Sequence, residues 1–209
     1  MISKLARLPI RAFRHVLLDR SYESYYSSEV WEGKYRDEHY DLGDPQEDGR
    51  FGALMQVLRR YDHGPMLDLG CGDGLLWKRY RPLSDSLLIG VDYSETAVAK
   101  ANSLALSNVE FRVGDYRSFD PGRQVAVAVF NESLYYIDAF LDAIAKAESC
   151  LSDSGVVIVS MFDTLVTRRI WKKLLQRRKW IQSLSVNDHR SKREWTIRVF
   201  PGPGTGRRT

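Results

Sequence analysis

Cysteine is scarce: the chain of 209 residues has two, Cys71 and Cys150. Two thiols cannot form a disulfide framework, and no Cys/His cluster has zinc-like spacing. No metal is therefore expected. There is also no stretch of 18 or more uncharged apolar residues, so no membrane-spanning helix is expected. Residues Met1 to Pro9 carry scattered charges and no long apolar segment, unlike a secretory leader. A cytoplasmic protein is the expectation. No internal repeat is visible. The apolar share of 44% is ordinary and excludes global disorder, and the length suits one α/β domain with appendages.

Charge is unevenly placed. The net charge is +4, yet residues 168–193 hold ten lysines and arginines against one acid, Asp188, leaving the remainder net acidic. Such a stretch either solvates a helix face or meets an anionic partner. No aromatic-rich RNA-binding motif accompanies it, so nucleic acid is not the expected partner.

The pattern along the chain predicts its elements. Residues 1–20 read as an amphipathic helix broken at Pro9, with Leu5, Leu8, Phe13, Val16 and Leu17 on one face and basic residues around it. That face is a candidate for membrane-surface contact. Residues 21–49 are aromatic and acidic and end in a turn-rich run. A helix is predicted at about 50–62, followed by alternating strands and helices. The strands fall at 65–69, 87–91, 109–113, 125–130 and 156–160, with helices at about 75–80, 95–106 and 137–151. Alternation at this spacing implies a parallel sheet with right-handed crossovers. A basic helix at about 164–178 and a hairpin of 181–186 with 194–200 follow. The division read from this is an N-terminal helix and entrance segment over 1–49, an α/β domain over 50–200 and a disordered tail over 201–209.

The informative segment is Met66-Leu67-Asp68-Leu69-Gly70-Cys71-Gly72-Asp73-Gly74. A strand running into Gly-x-Gly-x-Gly must turn tightly and let a ligand approach bare backbone. Asp68 precedes the first glycine by two residues. Asp92 ends the next strand, where an acid can accept hydrogen bonds from both ribose hydroxyls. The nicotinamide-dinucleotide pattern needs a glycine at position 75, which is leucine. Cys71 reads as a compact packing residue.

Asp-x-Gly-x-Gly-x-Gly, the acidic end of strand two and the Gly114-Asp115 end of strand three together resemble the class I S-adenosylmethionine-dependent methyltransferases. The resemblance spans about residues 30–200. It implies a Rossmann-like, doubly wound α/β fold with a mostly parallel seven-stranded sheet in order 3-2-1-4-5-7-6, an antiparallel C-terminal hairpin strand and an N-terminal helical lid. It further implies S-adenosyl-L-methionine as cofactor and S-adenosyl-L-homocysteine as product. On that resemblance Gly70 and Gly72 form the turn under the methionine moiety, and Asp68 helps hold its ammonium. Asp92 binds the ribose. Tyr93 lies against adenine, Asp115 takes the adenine amino group, and Tyr116 closes the other adenine face. Asn131 stands near the sulfonium. Arg50 either binds the methionine carboxylate, as an arginine so placed does in small-molecule members, or is a plain helix-surface charge.

Ligands of open α/β sheets bind at the carboxyl ends of strands, so Asn131-Glu132-Ser133-Leu134-Tyr135-Tyr136 faces the acceptor. This segment lacks the Pro-Pro signature of base methyltransferases. It resembles that of nodulation-type N-methyltransferases and of polysaccharide or natural-product pathway enzymes. A small molecule, with a sugar leading, is the expected acceptor, methylated on oxygen or nitrogen. Glu132 is the first candidate base and His39 the second. Trp31, Tyr35 and Tyr40 of the entrance segment suit a lid, and Tyr135 and Tyr136 a cavity wall. Two competing readings are a silent cofactor-binding scaffold and an RNA or protein methyltransferase docking through 168–193.

Overall fold

The computed structural model describes residues 28–37, 48–188 and 193–204. The expected helix over 1–20, together with His39 and Tyr40, lies outside them. Helix α1 (Ser28–Arg36) and helix α2 (Asp48–Arg60) lead into strand β1 (Met66–Leu69). Then come α3 (Leu75–Tyr80), β2 (Leu88–Asp92), α4 (Glu95–Ser103), β3 (Val109–Val113) and β4 (Val125–Asn131). A 3-10 turn, Leu134–Tyr136, precedes α5 (Phe140–Ser149), β5 (Leu151–Phe162), α6 (Leu165–Leu175), β6 (Gln182–Asp188) and β7 (Arg193–Pro201).

The seven strands form one sheet in the order β3-β2-β1-β4-β5-β7-β6, as the resemblance implied. Adjacent strands from β3 through β5 pair in parallel. β7 runs antiparallel to both of its neighbours. Helices cover both faces, which is why β1 and β2 are buried at every position and β4 at all but Asn131. One apolar layer joins Leu67, Ile89, Phe130 and Val157 to α5 and α6. The other joins Met66, Leu88, Val127 and Ile158 to Phe51 and Leu54 of α2 and Trp77 of α3. At roughly 1.5–3 kcal/mol per fully buried large apolar side chain, these two layers dominate the fold's stability.

Local chemistry sets the helix starts. Ser94 accepts the Ala97 N–H at 3.0 Å to cap α4, and Thr164 with Thr167 forms a reciprocal cap on α6. Several boundaries differ from expectation, among them those of β5, which runs from Leu151 to Phe162 rather than over 156–160. The helix predicted to 106 ends at Ser103, because Ala105 takes a left-handed φ of 48°. The helix predicted from 137 begins at Phe140, after the 3-10 turn. At the start of the tail predicted from 201, Pro201 instead pairs with Val156 as the last residue of β7, and the Gly202 N–H donates to the Gly155 carbonyl at 2.9 Å.

Candidate functional site

A cavity of about 320 Å³ opens at the carboxyl ends of the parallel strands, within the range of small-molecule sites. The start of β7 lies at the same rim, because that strand runs backwards. On the β1–β2 side the floor is the glycine turn. Gly70 has φ 88°, and a Cβ there would stand 2.5 Å from that of Ser133, so only glycine fits. Gly72 has φ 55° and donates its N–H to Asp92 Oδ2 at 2.9 Å, while the Ser94 N–H donates to Asp92 Oδ1 at 3.0 Å. Two backbone donors thus aim the Asp92 carboxylate and leave further lone pairs for a ligand.

Asp68 lies beneath this turn with 1% exposure, and its buried Oδ1 has no hydrogen-bond partner. Burial, with the Asp92 charge adding to it, pushes the Asp68 carboxyl well above the usual range. Asp92 is also raised, chiefly by burial and against the pull of its backbone donors. An orphaned carboxylate oxygen beside a second carboxylate is a receptor for a cation.

Arg50 is no surface charge. It is 1% exposed, lines the cavity from the first turn of α2, donates from Nη1 to Asn131 Oδ1, and lies 4.3 Å over the Phe51 ring. Asn131 accordingly meets Arg50 at the end of β4.

Two expectations about the adenine end change. Tyr93 and Tyr116 both line the cavity, but their ring centroids are 4.6 Å apart. A base held between two rings needs about 7 Å, twice the contact distance, so the tyrosines do not flank a slot in this geometry. Asp115 is engaged elsewhere: it accepts from the Arg117 backbone and guanidinium and from the Tyr93 hydroxyl at 2.9 Å. Those donors hold its carboxyl below the usual range, against the opposing effect of burial.

At the acceptor end Glu132 lines the cavity with a left-handed φ of 58°, uncommon for a residue with a side chain. Its carboxylate accepts from Ser160 Oγ and the Phe162 N–H, both at 2.9 Å, and from the Tyr135 hydroxyl at 3.1 Å. The expected base is thus a brace tying the β4 end to the β5 end. Tyr135 and Tyr136 are wall residues, and Trp31 meets Tyr136 edge-on at 4.9 Å.

Trp31 and Tyr35 bring α1 over the cavity. The helix is fastened by Glu32, which the sequence did not single out. It accepts from Ser94 Oγ at 2.6 Å and from the Thr96 N–H and hydroxyl, while Lys100 donates to the Tyr35 carbonyl at 2.5 Å. Phe162, Arg193 and Trp195 also line the cavity and were missed. Cys71 is buried at 6% exposure, and His63 is exposed. Among the described residues, no group of three or more Cys, His, Asp or Glu side chains is placed to hold a metal, and no helix is long and apolar enough to cross a membrane.

Comparison with known proteins agrees with this fold. Trans-aconitate 2-methyltransferase of Enterobacter sp. (strain 638) is 32% identical over 116 residues, 54% of this chain and 44% of that enzyme. The match thus spans less than half of that relative's length. The fold is shared with N-methyltransferase NodS from Bradyrhizobium japonicum WM9 in complex with S-adenosyl-l-homocysteine, at TM-score 0.70 and 19% identity over 87% of this chain and 99% of that one. The DhpI–SAH complex superposes at TM-score 0.62 and 21% identity, covering 86% and 97%. The [4+2]-cyclase SpnF gives TM-score 0.61 at 16% identity, covering 72% and 81%. A family model described as a methyltransferase domain matches residues 61–196, and the chain belongs to that methyltransferase domain family.

Proposed function

We propose that the protein transfers a methyl group from S-adenosyl-L-methionine to an oxygen or nitrogen of a small molecule, of sugar or natural-product type. The observation that carries the cofactor part is the buried, unpartnered Asp68 oxygen beside Asp92 under the glycine turn. That arrangement suits the ammonium of the methionine moiety, with Asp92 left to the ribose hydroxyls and the Arg50 guanidinium to the carboxylate. Tyr93 and Tyr116 would offer adenine their joined edge. The bound cofactor supplies an electrophilic methyl group on a sulfonium.

The protein's own contribution is alignment and dryness, worth up to about 7–11 kcal/mol in ideal cases. Helix α1 is the cover, laying Trp31 and Tyr35 over the cavity. Glu132 fixes the wall through Ser160, Phe162 and Tyr135 rather than taking a substrate proton. His39 remains the proton acceptor put forward from the sequence, and an amine acceptor arrives neutral.

The test is titration of the full chain with S-adenosylmethionine and S-adenosylhomocysteine, beside Asp92→Ala. Charge-assisted hydrogen bonds contribute about 1.5–3 kcal/mol, so the variant should bind at least about tenfold more weakly while staying folded. Unchanged affinity would remove Asp92 from the site, and absence of binding to the wild-type chain would end the reading. Because SpnF is a cyclase on the same fold, binding alone does not establish transfer. Turnover is read as homocysteine-form product appearing with acceptor.

A further inference from the structure

We infer that the methyl acceptor carries an anionic group, a carboxylate or a phosphate, bound by Arg193. The inference rests on the proposed placement of the donor over β1 and β2. β7 alone runs against its neighbours, so its first residue returns to the rim where the parallel strands end. Trp195 lies opposite Phe162, and Arg193 stands two positions nearer the rim on the same face, lining the cavity with both. Four strand spacings separate β2 from β7, about 19 Å. The Arg193 charge therefore stands far from the ribose end marked by Asp92, at the end left to the acceptor.

The surroundings favour an anion there. Asp163, near this rim, is held bidentately by Arg168 at 2.7 and 2.5 Å. Glu132 accepts from the β5 end and Tyr135. Asp188, opposite Arg193 in the β6–β7 register, shares its face and can orient the guanidinium. Five N–H donors leave that fork able to serve a ligand as well. The rest of the wall here is aromatic: Phe162, Trp195, Tyr135, Tyr136 and Trp31. A cation at the end of an aromatic slot matches a flat apolar body ending in an anion, and the planar fork suits carboxylate or phosphate oxygens. The sugar expectation narrows accordingly to acidic or phosphorylated sugars.

The test uses benzoate, phenyl phosphate and benzamide as probes, titrated against the full chain with and without saturating S-adenosylhomocysteine. Quenching of tryptophan fluorescence is the readout, since Trp31 and Trp195 line the cavity. At least one anion should bind about tenfold or more tightly than benzamide, the loss expected for a charge-assisted pair. The better of the two anions identifies the carboxylate or the phosphate as the group recognised. Arg193→Gln should erase that preference while leaving S-adenosylhomocysteine affinity within about twofold, and Arg193→Lys should restore part of it. Benzamide binding as tightly as both anions overturns the inference, as does a preference that survives in Arg193→Gln. If the glutamine variant fails to fold, the wild-type comparison and the lysine variant still decide. Failure of S-adenosylhomocysteine to bind would instead overturn the donor reading, because the anion preference is also measured without it.

Discussion

Asp68 shows at the scale of one residue how function is held against stability. A buried carboxylate oxygen without a partner costs about 1–3 kcal/mol, and here burial and Asp92 raise the carboxyl's pKa. For an acid raised on folding, stability is fullest below the ordinary aspartate value and is lost as pH rises through the raised one. Asp68→Asn removes the ionised form, so the ligand-free variant should melt a few degrees higher, at about 2–4 °C per kcal/mol for a chain of this size. Its affinity for S-adenosylhomocysteine should fall about tenfold or more. Calorimetry and titration on one preparation check both, and a variant less stable yet equally tight would place Asp68 in the framework alone. This residue was legible because its spacing from Gly70 is local. The engagement of Glu132 was not, since Ser160 and Phe162 lie 28 and 30 positions away. Nor was that of Asp115, where Arg117 and the Tyr93 hydroxyl take the carboxylate.

Among elements, the strands were the most legible and the attachment of α1 the least. Val125–Phe130 is apolar throughout because both its faces are covered, and a continuous run states that directly. Aromatic content marked α1 as a cover, but nothing near Glu32 announced its partners Ser94 and Thr96. Glu32 fastens α1 to the start of α4, one residue beyond the Asp92–Tyr93 pair that faces the cavity. Hydrogen bonds from Ser94 and Thr96 hold its carboxyl below the usual glutamate value. A group depressed on folding contributes stability that is present above its unfolded pKa and is lost as pH falls through the lowered one. The protection of amides in residues 28–36, taken relative to their intrinsic exchange rates at each pH, should therefore fall in acid below the ordinary glutamate range while β4 stays protected. Glu32→Ala should show the faster exchange already at neutral pH and raise the acceptor KM more than it lowers kcat. Exchange in α1 that matches the wild type would show that Lys100 and the aromatic contacts suffice to hold the helix.

Across the whole molecule, alternation of strand and helix carried the parallel sheet and the family resemblance its strand order, but the basic stretch 168–193 was read as a unit and is not one. Its described residues include a helix face, the ion-paired Arg168 and Arg178, and a cavity residue. Arg168 is bound to Asp163, and Arg178 to Glu148 at the end of α5, at 2.6 and 2.8 Å. Arg193 returns to the cavity through the reversed strand, which linear spacing could not reveal. Arg169, Lys172 and Lys173 are exposed on the outer face of α6, whose inner face buries Ile170, Trp171 and Leu174. The helix starts at the rim after β5 and runs back, reaching the Arg178–Glu148 pair beside the entry into β5. Its outer face thus leads away from the cavity, a poor docking track for a large substrate that must present one atom to the methyl. Replacing Lys172 and Lys173 with glutamate should leave stability within about 0.5 kcal/mol, as exposed substitutions do. S-adenosylhomocysteine affinity and turnover of a small acceptor should stay within about twofold. Retention on heparin should weaken, because counterion release scales with the number of basic contacts. An RNA or protein substrate docking here would give the opposite pattern: its methylation would drop at least about tenfold in the variant and fall steeply with salt in the wild type.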